Sequence, residues 1–134
     1  MNKTTQRTAT VWPTLTYRDA RAAIRFLVDA FGFQEVVSYP GTDESTVSHA
    51  ELRWPAGGGV MLGTARADSV IADLPPGTGS IYVVTEDPDT LFERARAAGA
   101  RVVQELHDTD YGSRDFAVRD PEGVYWSFGT YPGA

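Results

Sequence analysis

The stretch YGSRDFAVRDPEGVYWSFGT, Tyr111 to Thr130, decides the fold. Residues alternate in polarity up to Asp120-Pro121-Glu122-Gly123 and resume alternating after it, so the spacing predicts a β-hairpin. An earlier stretch, RWPAGGGVMLGT from Arg53 to Thr64, repeats it at a constant offset of 66 positions. Arg53 matches Arg119, Pro55 matches Pro121, Gly57 matches Gly123, Gly63 matches Gly129 and Thr64 matches Thr130. The chain writes one hairpin twice.

The segments preceding the hairpins repeat as well. Val11–Thr16 is a short β-rich run. In DARAAIRFLVDAF, Asp19 to Phe31, the apolar residues Ala20, Ala23, Ile24, Leu27 and Phe31 form one helix face. Gly32 can take the left-handed conformation that stops a helix. Strands are expected at Gln34–Tyr39, Thr46–Trp54 and Gly59–Thr64. The second half follows the same order: a β-rich run at Gly79–Val84, then DPDTLFERARAAG with Asp87 as N-cap and Pro88 at the first helical position. Gly99 stops this helix, 67 positions after Gly32. Strands follow at Arg101–Leu106, Arg114–Arg119 and Val124–Thr130. Each half reads βαβββ, an α+β fold. The modules are 11–64 and 79–131, joined by a linker at 65–78 and preceded by a frayed polar N-terminus at 1–10, with one structural domain overall.

Bulk chemistry narrows the function. The net charge of −6 disfavours nucleic acid, which needs clustered Lys and Arg. The chain has 134 residues and no cysteine, which excludes disulfides, thiolate metal sites and a cysteine nucleophile. No stretch approaches the roughly 18 apolar residues of a membrane span. MNKTTQRTAT lacks the apolar run of a secretory signal, so a cytoplasmic protein is expected. The Gly57–Gly59 run precedes a strand and is followed by no lysine, so it reads as a turn, not a phosphate loop. His107, beside Asp108 and Asp110, is expected in a solvated loop.

This organisation resembles the vicinal-oxygen-chelate superfamily: glyoxalase I, bleomycin-resistance proteins and extradiol dioxygenases. The resemblance rests on YGSRDFAVRDPEGVYWSFGT and on VWPTLTYRDARAAIRFLVDAFGF, and is nearest to the small bleomycin-resistance-like and glyoxalase-like members. It implies two modules whose curled mixed sheets form a cup-like cavity with the helices on the convex side, and a homodimer. Metal-dependent members place a His or Glu ligand on the first and last strand of each module. Matched residue by residue, those positions fall here on Trp12, Met61, Ser80 and Ser127. None is a usual ligand for a divalent ion, so no metal and no cofactor is expected.

Strand parity then gives the lining of the cup. Val124, Trp126 and Phe128 form an apolar face suited to packing under a helix, which turns Tyr125 and Ser127 the other way. Trp12, Thr14, Met61, Ser80, Tyr82, Tyr125 and Ser127 share the concave parity, and Tyr111 enters the last hairpin. His49 and Glu51 share one strand face as a ligand-binding pair. An aromatic, weakly polar cavity of this kind binds planar small molecules by burial and stacking. Glu51 and Asp115 would favour a cationic ligand. The expected function is metal-independent binding of a small molecule, such as sequestration of a drug-like or aromatic metabolite. The alternative is a glyoxalase-like lyase, isomerase or dioxygenase built on His49 and Glu51.

Overall fold

The structure, a computed structural model, describes residues 9–134. The expected frayed N-terminus falls mainly on residues 1–8, outside the described residues. The first half comprises β1 (Thr14–Tyr17), α1 (Ala20–Phe26), β2 (Gln34–Pro40), β3 (Val47–Arg53) and β4 (Gly59–Thr64). The second comprises β5 (Ser80–Val84), α2 (Pro88–Ala97), β6 (Arg101–Asp108), β7 (Arg114–Arg119) and β8 (Tyr125–Gly129). Each half builds one four-stranded sheet, ordered β1-β4-β3-β2 and β5-β8-β7-β6. The first strand of each runs parallel to its last, and the other pairs are antiparallel.

The helices start and stop as their sequences dictate. The Asp19 carboxylate accepts the Ala22 N–H, and Asp87 accepts the Thr90 N–H. Each satisfies a donor that a helix start leaves unpaired. The first helix departs from the expected single α-helix. After Phe26 it widens into a π-helical turn, Leu27–Phe31, ended by Gly32 at φ 93°. That turn seats Leu27, Ala30 and Phe31 in the core. A second departure is His107, which lies within β6 rather than in a loop. The pairing of β6 with β7 shifts register near it and carries the strand on to Asp108.

The two modules share one hydrophobic cluster, on the helix side of both sheets. Phe31 packs on Trp126 and Phe128, with ring centroids 5.3 and 4.8 Å apart. Phe33 meets Trp126, and Trp54 meets Phe128. Trp126 and Phe128 are fully buried, and each such side chain contributes about 1.5–3 kcal/mol by leaving water. Polar contacts fix the docking. The Glu122 carboxylate accepts the Arg18 and Asp19 N–H groups, both at 2.7 Å. Arg94 donates to the Val28 and Asp29 carbonyls at the end of the first helix.

The repeated hairpins differ where they meet the other module. Position 54 is Trp in the first, and its equivalent, position 120, is Asp in the second. The Trp54 indole donates to the Val84 carbonyl on β5 at 3.1 Å. Asp120 accepts the Tyr17 hydroxyl from β1 at 2.6 Å. The same turn position therefore reaches across to the opposite module's first strand in both copies.

Candidate functional site

Packing on the helix side leaves the other face of each sheet open. On the first sheet that face carries Thr14 beside Met61 and Met61 beside Glu51, in direct register. His49 follows Glu51 at strand spacing and faces the same way. Its Nε2–H donates to Glu51 Oε2 at 2.8 Å, a tautomer set by the carboxylate, which can only accept. The imidazole also stacks on Tyr39, at 6.4 Å between centroids and 16° between planes. The linker folds back over this face. It is tied down by the Ala65 N–H to the Tyr17 carbonyl and the Gly77 N–H to the Thr16 carbonyl. The two enclose a cavity of about 200 Å³, lined by Thr14, Thr16, His49, Met61, Arg66 and Ile71 among others.

On the second sheet Ser80 lies beside Tyr125 and Tyr82 beside Ser127. The Arg119 guanidinium sits 4.6 Å from the centroid of the Tyr125 ring. At the other end of β7 the Asp115 carboxylate accepts the Ser113 hydroxyl and, more weakly, the Tyr111 hydroxyl at 3.4 Å. The Tyr82 hydroxyl donates to the Tyr131 carbonyl at 2.7 Å. Both the Asp115 carboxylate and the Tyr82 hydroxyl lean over Gly129. A β-carbon there would collide with Asp115 Oδ1 and stand 2.8 Å from the Tyr82 oxygen. Burial, with a smaller contribution from the Asp115 charge, raises the Tyr82 phenol above its ordinary range.

The structure thus divides the expected lining. Thr14, His49 and Met61 share the first cavity, with Glu51 behind the imidazole. Ser80, Tyr125, Ser127 and Tyr111 lie on the second open face. Tyr82 also borders a more apolar groove of about 470 Å³ between the modules, with Val11, Phe33 and Trp54. Trp12 precedes β1. Its ring packs over Gly59, and its indole N–H donates to the Ala9 carbonyl at 2.9 Å. The cavity containing Met61 includes neither Ser80 nor Ser127.

Sequence reasoning missed the linker residues that roof the first cavity, and it missed Tyr131. It placed Asp115 without fixing its face. The buried pair Phe116 and Val118 was the available signal, because it turns Asp115, Ala117 and Arg119 to the open side.

The donor chemistry does not fit a resident divalent ion. An indole whose N–H is already bonded, a thioether and two hydroxyls occupy the four corner positions, and His49 with Glu51 supplies two donors. Among the described residues no group of three or more His, Cys, Asp or Glu side chains converges.

Comparison with known proteins agrees with the fold. The profile of the Glyoxalase/Bleomycin resistance protein/Dioxygenase superfamily matches residues 9–128. TioX from Micromonospora sp. ML1 superposes with a TM-score of 0.77 at 33% identity, covering 91% of this chain and 98% of TioX. A glyoxalase I from Zea mays has a TM-score of 0.69 at 17% identity, over 90% of this chain and 44% of its own. The uncharacterized protein Mb0911c of Mycobacterium bovis is 36% identical over 126 residues, 87% of this chain and 80% of that one. The chain belongs to the glyoxalase/bleomycin resistance protein/dioxygenase superfamily. No helix among the described residues is long and apolar enough to cross a membrane.

Proposed function

We propose that the protein binds an aromatic small molecule without catalysis and without a metal, in a cup completed by a second copy of the chain. The observation that carries this reading is the side chains at Trp12, Met61, Ser80 and Ser127, which suit contact and stacking rather than coordination. The joint helix-side core favours a dimer. With that core occupied inside the chain, the open face of the second sheet, where Tyr82 and Tyr125 stay exposed, is free to close against another copy. Such a cup would be walled by Tyr82, Tyr125 and Ser127, and burying one ligand ring there would contribute about 1.5–3 kcal/mol.

Isothermal titration against a panel of aromatic natural products, with elemental analysis and light scattering on the same sample, tests the proposal. The expected result is saturable binding by a metal-free dimer. Silence across the panel, or a tightly held stoichiometric metal, overturns it.

One observation favours a second reading, a glyoxalase-like lyase or isomerase. His49 borders a cavity while Glu51 holds its Nε2–H, which leaves Nδ1 as an acceptor of a substrate proton. This reading requires turnover that His49→Ala abolishes while ligand binding persists.

A further inference from the structure

We propose that the open face of the second sheet contains a cation subsite, where the Asp115 carboxylate and the rings of Tyr82, Tyr111 and Tyr131 receive the protonated amine of an aromatic ligand. The proposal rests on the small-molecule-binding reading above and specifies the ligand's charge.

The first observation is a carboxylate without a counter-charge. Asp115 is half-buried, and it accepts from two neutral hydroxyls, those of Ser113 and Tyr111. Neutral donors orient a carboxylate without cancelling its charge. Among the described residues no Lys, Arg or His lies within ion-pair distance of it. Its neighbour in sequence, Arg114, points to the other face of the strand and is held by Asp89 at 2.8 Å and Asp108 at 3.1 Å. His107 stands opposite Asp115 on β6, with its Nδ1 directed to the Glu105 carbonyl. Arg119 is four residues along the strand, about 13 Å away, and lies on Tyr125.

The second observation is the aromatic surround. Tyr82, Tyr111 and Tyr131 keep 44%, 63% and 43% of their surface exposed, so their rings remain available to a ligand. Tyr111 and Tyr131 meet edge to face at 5.8 Å, and Tyr82 is bonded to the Tyr131 carbonyl. Ring faces are negative and attract a cation, and the Tyr82 and Tyr111 hydroxyls bring two of these rings beside the carboxylate. Gly129 provides the space into which Asp115 and Tyr82 converge. An amine or amidine hydrogen-bonds to Asp115 and rests against the rings, while its aromatic body extends over Ser127. An anionic ligand meets Asp115 unfavourably. The net charge of −6 reinforces the preference.

The test is a fluorescence titration of the full-length protein at about pH 8, where free imidazole is neutral, with two dyes of the same shape. These are 9-aminoacridine, a planar cation, and acridine, its neutral parent. Tighter binding of 9-aminoacridine is expected. Asp115→Asn should weaken it about tenfold, the loss of one charge-assisted hydrogen bond, and leave acridine affinity unchanged. Tyr111→Leu, at an exposed position, should also weaken the cation selectively, which keeps the test valid if Asp115→Asn folds poorly. Equal affinity for both dyes overturns the subsite and leaves the small-molecule reading standing. Binding of neither dye overturns the subsite and counts against that reading as well.

Discussion

Tyr17 donates its hydroxyl proton to Asp120 across 2.6 Å, between residues 103 apart in the sequence. The same carboxylate accepts the Trp126 indole N–H at 3.1 Å and the N–H groups of Glu122, Gly123 and Val124. Asp120 is 3% exposed and Tyr17 fully buried. One carboxylate thus shapes the second hairpin's turn and attaches it to the first module. A charge this deep is tolerated because five donors replace its water.

Asp120→Ala should therefore be among the most damaging single substitutions. It strands two buried side-chain donors and the Glu122 and Val124 amides, while the Gly123 N–H keeps the Asp120 carbonyl. A loss of about 3 kcal/mol or more is expected from unsatisfied groups alone, measured by urea denaturation. Tyr17→Phe removes one bond to a charged acceptor and should cost about 1.5–3 kcal/mol.

Alkaline pH should weaken the fold through the same pair. Burial, then the charge of Asp120, holds the Tyr17 phenol far above its ordinary range. The folded state keeps this proton at a pH where the unfolded chain releases it. The stabilisation is complete below the unfolded tyrosine value near 10 and is lost as pH rises past it. One such proton gives a slope of about 1.4 kcal/mol per pH unit. The alkaline limb of wild-type stability should exceed that of Tyr17→Phe by this amount.

Phe128→Ala tests the shared core. Phe128 is fully buried and touches Phe31 and Trp54 from the first module and Phe116 from its own. A loss of about 3–5 kcal/mol is expected, as for other buried aromatics cut to Ala. Because the core spans both modules, they should unfold in one calorimetric transition. Two separate transitions in wild type would contradict a jointly held core.

Gly129→Ala tests the second open face. The added methyl takes the space used by Asp115 and meets the Tyr82 hydroxyl, so both side chains must swing away. Affinity for 9-aminoacridine should fall about tenfold or more, like that of Asp115→Asn. Retained affinity would show that the ligand does not use this end of the sheet.

Much of the fold was legible because its signals are local. Gly32 and Gly99 both adopt positive φ where the sequence called for helix stops, and Asp87 caps α2 as its Asp-Pro start implies. The β3–β4 and β7–β8 hairpins follow from their turn residues and strand alternation. The π-helical turn was not legible, since it seats Phe31 against Trp126 and Phe128, residues distant in the sequence. Strand parity accounts for the register of Met61 with Thr14 and of Ser127 with Tyr82. It does not account for the roof over the first cavity, because residues 65–78 carry no periodic pattern and are placed by bonds from Ala65 and Gly77 to β1. The Asp115 cluster depends on Gly129, whose lack of a side chain matters only once three strands are assembled.

Positions 54 and 120 are equivalent in the repeated hairpin and hold a tryptophan and an aspartate. The second half is therefore fitted to the first and not to a copy of itself. Two second modules joined together would bury carboxylates with no Tyr17 to answer them. Fusing two copies of the second half should fail for this reason, even though the two halves' backbones trace the same path.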